Sequence, residues 1–321
     1  MSNLAGTRLF PSSASRRRRT ARRILAGVIA FVVILLLAVV GISFFVGWSL
    51  SHPEREAISD MPGSYGLDYT EVSFVSRDGE TGLKGWLIPA AGAEKKGKTI
   101  VFAHGYSRNR LQSDVPGLAV AKGLSEAGYD LLMFDFRGSG ESGGSFTSVG
   151  QYETYDLLGA IDWVRNTGTP GQPVGLIGFS MGAATALMAA AADPEVIGVV
   201  ADSPFSNLKE YLEANLSYWS NLPNFPFTPL IMWLLPQALD IDPASVDPYS
   251  AVNDIYPRPI LFIHNEEDEA IPYTESEKMQ QLHPDRFELW NAGSGGHVGT
   301  YKAAPDEYIR RVVAFFDAIG S

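Results

Sequence analysis

The chain has 321 residues, 45% of them hydrophobic and none of them cysteine, with a formal net charge of -11. This length and apolar fraction suit one large α/β domain with an appendage rather than two full cores, and the missing thiols exclude disulfides, thiolate metal sites and a cysteine nucleophile. Residues 1 to 50 carry seven arginines and no acid, leaving 18 basic against 36 acidic residues in the remainder; so acidic a body argues against nucleic acid and against general adsorption to anionic lipid.

Residues 1 to about 15, rich in serine with Pro11, read as a disordered tail. With the arginines that follow, residues 1–23 form a basic N-terminal segment. From Ile24 to Leu50 there is no charge over 27 residues, and a helix of that length, about 40 Å at 1.5 Å per residue, exceeds the hydrocarbon core of roughly 30 Å. It spans a bilayer with tilt to spare. A cleaved signal peptide is the alternative, but the apolar run is longer than a usual signal core and Val46-Gly-Trp-Ser-Leu50 offers no small-x-small cleavage site. The arginine cluster before the helix has no counterpart just after it, so the positive-inside bias places the N-terminus in the cytoplasm and the body outside.

After a linker over residues 51–68, the body, residues 69–321, alternates short apolar runs with amphipathic stretches, the pattern of a mostly parallel sheet covered by helices. Early strands are expected at Glu71 to Ser76 and Leu83 to Ile88, paired as a hairpin through Arg77-Asp-Gly79. Buried strands are expected at Thr99 to Ala103, Asp130 to Phe134, Val174 to Ile177, Val196 to Ala201 and Pro259 to Ile263, with another at Arg286 to Trp290. Helices are expected at Val115 to Ala127, Tyr152 to Arg165, Met181 to Ala192, Tyr273 to Leu282 and Pro305 to Ile319. The stretch 206–254 breaks this rhythm, and between Leu216 and Leu239 it holds many aromatics and prolines and no charge. In open parallel sheets chemistry is sought beyond the strand C-termini.

Two pentapeptides fit the G-x-S-x-G nucleophile elbow: Gly178 to Gly182, centred on Ser180, and Gly140 to Gly144, centred on Ser142. Ser180 follows an apolar strand and opens an alanine-rich helix, as the elbow requires, whereas Ser142 lies in a glycine-rich loop. Ser180 is therefore the candidate nucleophile. A serine hydroxyl needs a histidine to accept its proton and an acid to orient that histidine. Of the five histidines, His52, His104, His264, His283 and His297, the last lies in the loop Gly293-Ser-Gly-Gly-His297 late in the chain and is the expected base. Asp268, past the strand ending at His264, is the favoured acid on triad order; Asp202 is the runner-up, and Glu266, Glu267 and Glu269 read as solvated loop charges. Two backbone N–H donors are needed for the developing oxyanion, and the amides of Met181 and of Tyr106, after His104-Gly105, are the candidates, with Gly105 expected to let the backbone approach.

The motifs together resemble the α/β-hydrolase superfamily over about residues 70 to 319: His104-Gly105-Tyr106, Asp135-Phe-Arg137-Gly-Ser-Gly140-Glu-Ser142, Gly178 to Gly182, His264 with Asp268 and Pro272, and Gly296-His297. The resemblance implies that Asp135 and Arg137 brace a loop and that Ser142 is not catalytic. Serine at 180 speaks against the haloalkane dehalogenase and epoxide hydrolase branches, whose nucleophile is an aspartate. The resemblance implies acyl transfer to water through an acyl-enzyme and a cap inserted over residues 206–254; the scattered histidines and absent thiolates offer no metal site, and no cofactor is called for.

An uncharged aromatic cap can be plain packing, an acyl-binding wall or a surface dipping into a membrane. If Trp219, Phe225, Phe227 and Trp233 line the site, the substrate is a small-molecule ester with a hydrophobic part. A membrane-anchored carboxylesterase or lipase-like hydrolase is thus the leading reading. A peptidase or amidase, with Arg108 or Arg110 holding a substrate carboxylate, is the second, since serine aminopeptidase-like relatives share these motifs. A non-catalytic binding module on a hydrolase fold is a third, whose mark would be a missing triad member; none is missing.

Overall fold

Eight short apolar or alternating runs pair into one sheet in the computed structural model, which describes residues 13–320. The strands are β1 (Thr70–Val75), β2 (Gly82–Ile88), β3 (Thr99–Ala103), β4 (Asp130–Phe134), β5 (Val174–Phe179), β6 (Val196–Asp202), β7 (Ile260–Ile263) and β8 (Phe287–Trp290), in the order β1-β2-β4-β3-β5-β6-β7-β8. β1 and β2 form the expected antiparallel hairpin and β2 pairs antiparallel with β4; every later pairing is parallel. β3, β5 and β7 are buried at every position, because helices cover both faces of a parallel sheet and leave no side for water. Two apolar clusters result, one on each face.

The helices are α1 (Ser13–Ser51), α2 (Gly117–Glu126), α3 (Gln151–Trp163), α4 (Met181–Ala192), α5 (Leu208–Ser220), α6 (Asn224–Leu239), α7 (Pro248–Ile255), α8 (Thr274–Gln280), α9 (Thr300–Ala303) and α10 (Pro305–Asp317). α4 is buried on nearly every side. Its alanines let α3 and α7 approach closely while the helix keeps the residue of highest intrinsic helix propensity. Chain direction turns at the middle of the sheet: β4 lies on one side of β3 and β5 on the other. At such a switch point the loops after β3 and β5 diverge and leave a crevice beyond the strand ends.

Three expectations change here. The tail over residues 1 to about 15 lies mostly outside the described residues, but from Ser13 onward the basic run is continuous with the apolar helix as α1. The linker over 51–68 is no free spacer. The Arg55 guanidinium donates to the carbonyls of Gly140, Ser142 and Gly144, Asn109 Nδ2 donates to the carbonyls of Glu56 and Ala57, and Ile58, Met61 and Tyr65 pack on the core. The insertion is shorter than 206–254. The Leu208 amide donates to Val246 O at 3.0 Å and closes its base, while α7 beyond it places Val252 and Ile255 in the main core.

Candidate active site

β5 runs straight into α4 through Ser180, which holds φ 53° and ψ -118°. A non-glycine residue at positive φ costs on the order of 1–3 kcal/mol and persists only where its surroundings fix it. Here they do. The Ser180 amide donates to Asp202 O at 2.8 Å, and the two flanking glycines sit where no side chain fits: a Cβ on Gly178 would lie 2.3 Å from Gly182 O, and one on Gly182 would lie 2.1 Å from Ala103 O. The elbow thus lifts the Ser180 hydroxyl out of the strand end into the crevice.

There it meets two residues from distant loops. His297 Nε2 is 2.9 Å from Ser180 Oγ, and His297 Nδ1 is 2.7 Å from Asp268 Oδ2. Burial alone would raise the Asp268 carboxyl, but hydrogen bonds from His264 and His297, the charge of His297 and the Ile271 amide outweigh it and hold it well below the usual carboxylate range. An ionised Asp268 only accepts, so His297 carries its proton on Nδ1 and presents a bare Nε2 to the serine hydroxyl. Oδ1 of the same carboxylate accepts the amides of Ala270 and Ile271, each at 2.9 Å.

The remaining histidines are committed elsewhere. His104 Nε2 accepts the Phe136 amide at 3.0 Å, and burial pushes its pKa down, so it is a neutral brace. His264 hands Nε2 to Ile271 O at 3.0 Å and lies 3.3 Å from Asp268 Oδ2, while its Nδ1 takes the Ser276 hydroxyl at 2.7 Å. It therefore helps orient Asp268. Sequence reasoning placed His264 at a strand end and among the marks of the family resemblance, without giving it a role. Two more residues it missed pin the base loop: Asn265 Nδ2 donates to Gly296 O, and Ser203 Oγ accepts the Val298 amide.

Met181 is the first residue of α4, so its amide precedes the helical hydrogen bonds that Ala183 and Ala184 donate to Ser180 O. Tyr106 lies across the crevice, after β3, where the preceding Gly105 amide is tied to Gln112 Oε1 at 2.6 Å. Gly105 itself is not forced by space, since a Cβ there would stand 3.4 Å from Phe179 O, an ordinary contact; the close approaches are at Gly178 and Gly182 instead. Ser142 is tied down, donating to Asp135 O at 2.6 Å and accepting the Lys84 amide at 2.9 Å. Asp135 accepts the Arg110 amide at 2.8 Å, and Arg137 is bidentate on Asp156, so both brace their loop.

A pocket leads from Ser180 under the cap. Met181, Tyr106, Phe205, Tyr211, Trp219 and Ile231 are among its walls, and no lining side chain carries a charge. Of the four cap aromatics expected there, only Trp219 lines it. Phe225 and Trp233 are 82% and 62% exposed, and Phe227, half-buried, does not reach the pocket. The reason is helical phase: α6 buries Ile231 and Leu235, four apart, and Trp233 midway between them projects from the opposite face. Phe225 sits at a kink with non-helical φ and ψ. Arg108 and Arg110 do not line the pocket either; they pair with Asp114 and with Asp135 and Glu141.

Residues 98–227 match the sequence profile described as the alpha/beta hydrolase fold, and the chain is 31% identical over 221 residues to YqkD of Bacillus subtilis, covering 68% of this chain and 71% of that one. The chain belongs to the α/β-hydrolase family. A Pyrococcus furiosus esterase structure superposes with a TM-score of 0.68 at 27% identity, over 85% of this chain and 99% of the esterase. The lysophosphatidylserine lipase ABHD12 of Xenopus tropicalis is 29% identical over 191 residues, 57% of this chain but 46% of that protein. These α/β-hydrolase relatives of stated activity cleave esters, and this chain has the hydrolase fold they share.

The runner-up acid has another place in this α/β-hydrolase. Asp202 accepts the hydroxyls of Ser203 at 3.0 Å and Tyr308 at 3.1 Å, with no hydrogen bond to His297. Burial, offset in part by those hydroxyls and by His264 and His297, pushes its carboxyl up to about 6 from 3.8. The folded state then holds that proton more tightly than the unfolded chain, so this carboxyl's contribution falls as pH rises from about 4 to about 6. Asp202→Asn removes the charge. Its thermal midpoint should gain on the wild type between pH 4 and pH 7, by up to roughly 3 kcal/mol in stability, with hydrolase activity within a few-fold. A constant difference across that range would rule this account out.

Proposed function

We propose that this protein is a membrane-anchored serine esterase acting on carboxylic esters with a hydrophobic acyl or alkyl part. The observation that carries the reading is the row Ser180, His297 and Asp268 opening directly into a charge-free pocket. Ser180 Oγ attacks the ester carbonyl carbon while its proton passes to His297 Nε2, and the carbonyl oxygen, now negative, is held by the Met181 and Tyr106 amides. Collapse breaks the bond to the alkoxy oxygen, which leaves as an alcohol with the proton from His297. Water, deprotonated by the same nitrogen, then releases the acid and regenerates the serine. Asp268 stabilises the imidazolium in both halves.

Esters are favoured over peptides because a peptide end brings a charge and the pocket walls offer none to meet it. The esterase reading draws further support from the esterase and the lipase among the relatives. Retention of α1 as an anchor, with the body extracytoplasmic, is part of the same proposal. Gly47, Leu50 and Ser51 of α1 stand among the pocket walls, so cleavage after the helix would remove part of the site.

Matched esters and amides of increasing acyl length test the reading. Each methylene buried contributes about 0.8 kcal/mol, so hexanoate should exceed acetate in kcat/KM by about tenfold or more, mainly through a lower KM, and the amides should be slower throughout. Equal or poorer values for the longer esters would refute the apolar-substrate assignment.

A further inference from the structure

We infer that the end of α1 is a working wall of the substrate pocket and that α6 beside it lies in the membrane interface, so that the site takes an amphiphilic ester directly from the bilayer. The inference rests on the reading of the chain as an anchored esterase. Its starting point is a covered face near the end of α1. Among the described side chains of α1 the buried ones are Ser43, Gly47 and Ser51, spaced by four and therefore in one row. Small residues in such a row let another helix approach closely, and α6 takes that place: a Cβ on Gly47 would lie 2.3 Å from Leu235 Cδ2. Val46 and Leu50 pack with Leu216, Ile231 and Leu235 in one apolar cluster.

The contact is fixed at its upper end by polar bonds. The Tyr106 hydroxyl donates to Leu50 O at 2.6 Å, and the Thr147 amide donates to Ser51 O at 2.8 Å. Tyr106 lines the pocket together with Leu50, Ser51 and Ser180, so the anchor ends beside the candidate nucleophile.

Depth follows from length. The uncharged run of α1 is about 40 Å long and exceeds a hydrocarbon core of roughly 30 Å by about 10 Å. Ser43 to Ser51 covers about 12 Å at the outer end of that run, so α6 descends beside α1 to the level where headgroups meet acyl chains. The outward face there carries the side chains such a level favours. Phe225 and Trp233 project outward, Tyr218 is also exposed, and no charge occurs from Leu216 to Leu239. In water that face would be a liability; beside a bilayer it is seated.

The full-length chain in phosphatidylcholine vesicles provides the test. Because it has no cysteine, Phe225→Cys, Trp233→Cys and, at the opposite end of the sheet, Asp285→Cys each give one site for a nitrobenzoxadiazole dye. Nitroxide-bearing lipid should quench the dye at 225 and 233 and leave it bright at 285; equal quenching at all three overturns the membrane seat, whatever the catalytic result. For the wall, Leu50→Trp should lower the ratio of monopalmitoylglycerol to butyrate-ester kcat/KM by about tenfold, and Leu50→Ala should move the preferred acyl chain to greater length. An unchanged chain-length profile in both variants overturns the wall. Absence of any ester turnover in the wild type would instead refute the esterase reading, while the dye measurement would still decide the seat.

Discussion

Ser180→Ala is expected to lower kcat by about a million-fold, the scale seen when a triad serine is removed, while the folded state is retained. Alanine takes the same backbone position, and the bonds that hold the elbow, from the Ser180 amide to Asp202 O and from Ala183 and Ala184 to Ser180 O, belong to the main chain. The residual rate reflects whatever the oxyanion donors and substrate positioning contribute alone. A fluorophosphonate probe should label the wild type and leave the variant unlabelled. Ser142→Ala makes the contrasting control. It loses a bond to Asp135 O and one from the Lys84 amide, so it should lower the thermal midpoint and keep labelling. Labelling of the Ser180 variant, or its loss at Ser142 in folded protein, would relocate the nucleophile.

Asp268→Asn should lower kcat/KM by about 10⁴-fold, with an additional loss of stability that a purely catalytic role would not produce. The carboxylate has four donors and no spare site: two amides on Oδ1 and the rings of His297 and His264 on Oδ2. An asparagine has one oxygen to offer. If it faces the amides, its NH2 group opposes both rings and drives His297 to carry its proton on Nε2, where Ser180 needs an acceptor; loss of that tautomer costs about 10⁴ in related catalysis. If it faces the rings, two buried amides go without an acceptor, at about 1–3 kcal/mol each. Rates in buffer and thermal midpoints measured on one preparation separate the two. Turnover within tenfold of the wild type, with a lowered midpoint, would assign Asp268 to structure and reopen the search for the acid.

The two carboxylates at the end of β6 and past β7 illustrate why the acid was harder to read than the nucleophile. Ser180 is marked by neighbours in sequence, since the elbow needs its strand, its two glycines and its helix in immediate succession. Asp202 closes its strand, Asp268 lies in the loop after its own, and both are buried. What separates them is direction. Asp202 points to Tyr308, while the loop after β7 turns Asp268 back toward His297. Only the packed loops fix that, because the three groups are brought together from positions up to 117 residues apart. The aromatics of the cap failed for a related reason. Composition marked the segment as apolar, but the phase of α6 sends Ile231 and Leu235 inward and Trp233 outward.

By itself the sequence determined the sheet-and-helix alternation, the elbow at Ser180, the order in which base and acid follow, and an N-terminal helix long and apolar enough to cross a membrane. These are properties of contiguous residues, fixed by periodicity, steric demands of glycine and hydropathy over one stretch of chain. Tertiary structure alone decided which carboxylate meets His297, that His264 shares it, where the cap ends, and that Gly47 and Leu50 of the apolar helix stand in the pocket wall. Those follow from which surfaces are buried together across long separations in the chain, and no local pattern encodes the partner of a buried face.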